Sequence, residues 1–187
     1  MSRVGSNPIN IPNGVNVEVS GNELTVNGPK GKLQMDLLSQ IKVEIEDGKV
    51  LVKRKGEDRF SKSAHGLTRS LINNMVLGVT EGWKKDLEMV GVGYRAQGGG
   101  DTLTLNVGFS HPVKVLAPVG ITFAVSDNTK ISVSGIDRNL VGQIAANIRS
   151  VKPPEVYKGK GIRYVGEYVR RKPGKAGKAI GGAGAAK

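Results

Sequence analysis

The chain has 187 residues, with 28 Lys+Arg against 16 Asp+Glu, a net charge of +12 and a pI near 10. That balance favours a polyanionic partner, either nucleic acid or an anionic membrane surface. The absence of cysteine excludes disulfides and thiolate metal sites, and no apolar run approaches the roughly 18 residues of a membrane span.

The opening MSRVGSNPIN carries no charged-then-apolar signal segment, so a cytosolic location is the default expectation. Period-two alternation follows, with Val15, Val17 and Val19, then Leu24 and Val26, then Val43 and Ile45, then Val50 and Val52 each falling on one face of a half-buried strand. Glu46-Asp47-Gly48-Lys49 is a hairpin signal between the last two. The period then shifts towards 3.6: Ala64, Leu67, Leu71 and Met75 predict a helical stripe ended by Gly78. Met89-Val90-Gly91-Val92-Gly93-Tyr94 reads as a further strand, its glycines marking a bulge or close backbone approach. Asp137 is placed to cap a second helix, in which Leu140, Val141, Ile144, Ala145 and Ile148 share a face and Pro153-Pro154 forms the stop.

These elements repeat. Leu24-Thr25-Val26-Asn27 returns as Leu103-Thr104-Leu105-Asn106 at an offset of 79, and the Ile41, Val43, Ile45, Asp47 series returns from Ile121 to Asp127 at 80. Gly56-Glu57-Asp58-Arg59 returns as Gly135-Ile136-Asp137-Arg138, and Arg69-Ser70 as Arg149-Ser150. Landmarks in one order at nearly one spacing indicate a duplicated domain. Several antiparallel strands followed by one covering helix make each copy α+β.

Catalytic chemistry is poorly supplied. His65 and His111, the two histidines, lie in different copies, which leaves no zinc spacing and favours structural roles. The acids alternate with lysines or stand in turns, as on a solvated surface. Gly91-x-Gly93 lacks the third glycine of a dinucleotide fingerprint. Gly28-Pro29-Lys30-Gly31 has the GXXG form, but joins two strands and reads as a turn with at most a phosphate contact.

Charge is concentrated late. Residues 152–187 hold 10 basic and 2 acidic side chains, a net of +8, against +4 for everything before. With aromatics at 4% and no aromatic-rich strand to act as a stacking platform, the expected target is structured RNA met through backbone and shape. Lys158, Lys160 and Arg163 supply charge, while Gly159 and Gly161 let the main chain approach a phosphate and take φ values closed to other residues. Tyr157 and Tyr164 either stack, hydrogen-bond or anchor the loop. Residues 174–187, rich in Gly and Ala, fit a solvated tail.

The sequence resembles the bacterial-type ribosomal protein L-six family of the large subunit. The resemblance runs from Ser2-Arg3-Val4-Gly5 to about Lys178 and includes Ile11-Pro12-Asn13-Gly14-Val15, Glu81-Gly82-Trp83, Gly108-Phe109-Ser110-His111-Pro112-Val113 and Val141-Gly142-Gln143-Ile144-Ala145. Pro154-Glu155-Val156-Tyr157-Lys158-Gly159-Lys160-Gly161-Ile162 matches the family signature nearly residue for residue, with Val156 where the family often has proline.

What the resemblance implies is two tandem similar α+β domains, each an antiparallel or mixed sheet packed against one main helix, with a basic C-terminal extension. The expected bounds are 1–82, an RNA-binding domain over 83–170, and a tail over 171–187. It further implies a non-enzymatic structural constituent of the large subunit that binds ribosomal RNA near the sarcin-ricin loop and stalk base. The expected partners are that RNA and neighbouring ribosomal proteins, with no cofactor, metal, membrane or small-molecule substrate, in the cytoplasm or an organelle. Lys158, Lys160, Arg163, Arg170, Arg171 and Lys172 are the expected phosphate contacts, with Lys175 and Lys178 threading between RNA helices and Arg95 and Lys152 as secondary candidates. The alternatives are a nucleic-acid-modifying enzyme with a basic tail and an architectural binder outside the ribosome.

Overall fold

The computed structural model describes residues 3–46 and 48–174. They divide into two units, one running through Trp83 and including Ser134–Val141, the other comprising Lys84–Val133 and the residues from Gly142 onward.

In the first unit, β2 (Asn16–Ser20), β3 (Glu23–Gly28) and β4 (Gly31–Asp36) form an antiparallel meander. A second sheet has the order β1 (Ile9–Asn10), β6 (Lys49–Arg54), β5 (Ile41–Glu46). The hairpin expected after Glu46 is present: Glu46 pairs with Lys49, and Gly48 takes the left-handed φ of +71° that the turn demands. Alternation delivers Val17, Leu24, Val26, Val43, Val50 and Val52 to the core, whereas Val19 and Ile45 remain exposed near the ends of their strands.

Helix α1 (Arg59–Thr80) starts at Asp58, whose carboxylate accepts the Ser61 N–H at 3.1 Å. Its buried face is not the expected one. Leu67 is 55% exposed and Leu71 half-buried, while Ala64, Thr68, Ile72, Met75, Val76 and Val79 point inward. Ser61, His65 and Thr68 occupy buried positions, so polarity at those sites misdirects a stripe drawn from apolar residues alone. Nor does Gly78 end the helix. A Cβ there would lie 2.1 Å from the Ile136 carbonyl, so this glycine permits a close approach. The helix ends at Thr80, and Gly82, two residues on at φ +78°, donates its N–H to the Leu77 carbonyl at 3.2 Å.

The second copy of the sequence repeat follows the same plan. Strands β8 (Arg95–Gly99), β9 (Thr102–Asn106) and β10 (Val113–Leu116) form the meander, and the other sheet has the order β11 (Ile121–Ser126), β12 (Lys130–Gly135), β7 (Trp83–Val90), β13 (Gly161–Tyr164). Strand β7 ends at Val90, earlier than the sequence pattern suggests: Gly91 to Gly93 turn, with Gly93 at φ +78° and the Tyr94 N–H donating to the Gly91 carbonyl. Helix α2 (Arg138–Val151) is capped by Asp137, which accepts the Asn139 N–H at 2.8 Å, and it buries Val141, Ala145 and Ile148. The repeat landmark around Asp58 and Asp137 is thus a pair of equivalent helix caps. Strand β7 beside β12 corresponds to β1 beside β6, but among the described residues β13 has no counterpart in the first repeat.

Candidate nucleic-acid interface

After α2 the chain folds back on itself. The Glu155 N–H donates to the Lys160 carbonyl at 2.8 Å and the Gly159 N–H to the Glu155 carbonyl at 2.9 Å, closing a small loop. The Ile162 N–H donates to the Lys152 carbonyl at 2.8 Å at the loop's base. Strand β13 then pairs antiparallel with β7, Gly161 opposite Val90 and Tyr164 opposite Leu87, and Ile162 is fully buried. The Lys172 N–H donates to the Val156 carbonyl at 2.8 Å, so the returning chain lies against the same loop. These bonds tie the segment to itself and to β7, which sets the backbone from which its cations project.

Gly159 and Gly161 have φ of +72° and +149°, conformations that side-chain-bearing residues rarely adopt. The space a Cβ would fill is occupied by the chain itself. At Gly159 it would come 3.0 Å from Arg171 Nε, and at Gly161 it would come 2.6 Å from the Pro153 carbonyl oxygen and Pro154 Cα. Both glycines are buried and shape the loop from within.

Around this frame Lys158, Arg170, Arg171 and Lys172 are exposed, as is Tyr157, and Lys160 is half-buried. Lys152 and Lys160 line an open cleft of about 500 Å³ with Tyr94, Pro153, Pro154, Glu155 and Val156. Arg95, exposed at the start of β8, follows Tyr94 directly. Arg163 is differently placed: its Nε donates to Glu88, the residue opposite it on β7, and its side chain is half-buried. Lys175 and Lys178 lie outside the described residues. Tyr164 is half-buried between Lys85 and Arg149, whose cationic groups sit 6.0 and 5.8 Å from its ring centre.

Glu167, one of the two acids in residues 152–187, is neutralised locally. The Arg149 guanidinium grips it and, with the Tyr164 N–H, holds its carboxyl below the usual glutamate range, while the same contact raises Arg149. The Gly28 to Gly31 turn is also engaged: the Lys30 ammonium donates to the Glu81 carbonyl and the Lys30 N–H to the Val79 carbonyl, at the C-terminal end of α1. His65 is buried in the first unit and donates from Nε2 to the Val52 carbonyl at 2.7 Å, a structural placement.

Three aromatic residues join the cations without having been singled out by spacing. Tyr94 lines the cleft. Phe109 and His111 lie with their rings 18° from parallel and their centres 6.3 Å apart, and the Lys152 ammonium stands 4.8 Å from the Phe109 centre. Lys152 is far from both in sequence, and no local spacing joins it to that loop. Among the described residues no cluster of His, Cys, Asp and Glu could hold a metal ion, and no helix is long and apolar enough to cross a membrane.

The family model for ribosomal protein L6 matches residues 11–82 and again residues 90–165, two matches whose starts reproduce the internal offset of the sequence repeat. "Large ribosomal subunit protein uL6" of Enterococcus faecalis is 55% identical over 178 residues, covering 95% of this chain and 100% of the relative. The proteins of the same name from Halalkalibacterium halodurans and Caldicellulosiruptor bescii are 56% and 54% identical over the same length, with 100% and 98% of the relatives covered. By its doubled fold and these matches along nearly its whole length, the chain belongs to the ribosomal protein L6 family.

Proposed function

We propose that the chain is a structural constituent of the large ribosomal subunit in the cytoplasm and binds ribosomal RNA chiefly through the domain over residues 83–170 and the tail over 171–187. The observation that carries this reading is the folded basic segment: Lys158 and Lys160 project from a loop closed by its own hydrogen bonds, Arg170, Arg171 and Lys172 from the returning chain beside it, and Glu167 is cancelled by Arg149. Cations carried on a hydrogen-bonded backbone suit the phosphates of a structured RNA, since the loop itself needs little ordering on binding. The family resemblance supports a place near the sarcin-ricin loop and the stalk base, with ribosomal proteins as neighbours. The role is one of support, without catalysis.

Shortening the chain at Val151 would remove β13 and take Ile162 out of the core, so the test uses the full chain. Lys158→Ala, Arg170→Ala and Lys172→Ala are combined and compared with the parent for affinity to isolated bacterial large-subunit ribosomal RNA across a salt series. Each lost phosphate contact lowers the slope of log K against log salt by about 0.9 on duplex RNA, taking the B-DNA value as a guide. An unchanged affinity and slope would remove the segment from the interface.

A further inference from the structure

We propose that the Phe109–His111 ring pair, with the Lys152 ammonium beside it, seats an unpaired RNA nucleobase whose neighbouring phosphate is held by Lys152. The inference rests on the RNA-binding role proposed above and adds a different mode of contact to it.

The loop between β9 and β10 holds its two rings out of the core. Val107 is fully buried and anchors the loop, and Gly108 turns at φ +79° against the Tyr94 ring, where a Cβ would lie 3.5 Å from Tyr94 Cε1. The next residue, Phe109, is 44% exposed. His111 is exposed as well, and Pro112 behind it disfavours helical backbone at His111. Two near-parallel rings standing in solvent add little to folding, but they present the flat polarizable surface on which bases stack.

Charge selects the ligand. Lys152 takes part in none of the ion pairs found among the described residues, and its ammonium is positioned by the Phe109 ring face, an attraction that leaves the full positive charge in place. Lys152 also lines the cleft that Tyr94 and Lys160 share, so the ring pair borders the phosphate-binding loop. An anion carrying a flat aromatic group is what this combination recognises. In a paired RNA helix the base faces are stacked inside and out of reach, so the occupant is a looped-out or bulged nucleotide.

The experiment uses the full chain with Phe109→Leu, which keeps an apolar side chain of similar size, Phe109→Trp and His111→Ala. The probes are isolated bacterial large-subunit ribosomal RNA and a fully paired RNA duplex. Phe109→Leu should weaken binding to the ribosomal RNA about tenfold, the scale of one base–aromatic stack. It should leave the salt slope unchanged, because stacking releases no counterions, and leave duplex binding unaltered. His111→Ala should weaken ribosomal RNA binding in the same direction. Phe109→Trp should keep the affinity, and its fluorescence, over the background from Trp83, should be quenched by the ribosomal RNA but not by the duplex. Tight binding by the parent with equal affinity for Phe109→Leu overturns the base seat alone and leaves the phosphate-binding role standing. Equal RNA affinity with poorer incorporation into the subunit would make the ring pair a protein contact and equally overturn it. No binding by the parent would remove both readings.

Discussion

Arg149 holds Glu167 with two prongs, Nε at 3.0 Å from Oε2 and Nη2 at 2.5 Å from Oε1, while the same carboxylate accepts the Tyr164 N–H at 2.9 Å. One contact therefore ties α2 to the turn that follows β13. Glu167→Gln keeps the shape and removes the charge. About 1 kcal/mol should be lost for this partly exposed pair, seen as a fall of about 2–4 °C in Tm. RNA affinity should fall little, because the substitution removes a negative charge.

The same pair has a pH signature. The folded-state pKa of Glu167 is depressed, first by Arg149, and that of Asp86 is depressed, first by Ser132. Groups of this kind stabilise the fold above their unfolded pKa and lose that contribution as pH falls through the folded value. Stability should therefore be level on the neutral side and decline once the pH drops below the ordinary carboxylate range. Chemical denaturation at a series of pH values checks this, and Glu167→Gln should show a shallower acid limb than the parent.

Glycine positions divide by what surrounds them. Gly161→Ala places a methyl group 2.6 Å from Pro153 and Pro154 at a φ of +149°, so the loop and β13 must shift. We expect a loss of more than about 2 kcal/mol. Gly142 lies inside α2 with nothing within 4 Å of an added Cβ, and Gly142→Ala should stabilise by about 0.5–1 kcal/mol. Thermal melts of the two variants should move in opposite directions.

The two faces of α1 provide a matched pair. Ile72→Ala empties a fully buried site and should cost about 2–4 kcal/mol. Leu67→Ala trims a side chain that is 55% exposed and should stay within about 0.5 kcal/mol. Equal effects would place the helix in the orientation suggested by its apolar residues alone.

Strand alternation, the hairpin after Glu46 and the capping role of Asp137 are all visible in the sequence, because each depends on neighbours a few residues apart. The duplication is equally visible, since repeated local signals keep their order and offset. The facing of α1 is not. Thr68 sits at a buried position and Leu67 at an exposed one, and only the packing of the whole helix against its sheets decides between them. Likewise Arg163 reads as a free cation until Glu88, its cross-strand partner, comes opposite it. Phe109, His111 and Lys152 became a group only when a loop of the meander and the end of α2 were brought together by the fold. Contacts set by long-range pairing leave no local periodicity, and charge counts alone cannot separate a paired arginine from an available one.

Strand β13 also imposes an order of events on the maturing chain. Ile162 must find Met89, made far earlier in synthesis, before the loop preceding it acquires its base and before the returning chain can lie along it. Such a distant pairing forms late, after the local hairpins and helices. A chain still short of its final residues would carry the second unit's hairpins and α2 but not the finished basic loop. The backbone setting of Lys158 and Lys160 is thereby among the last features of the second unit to be completed.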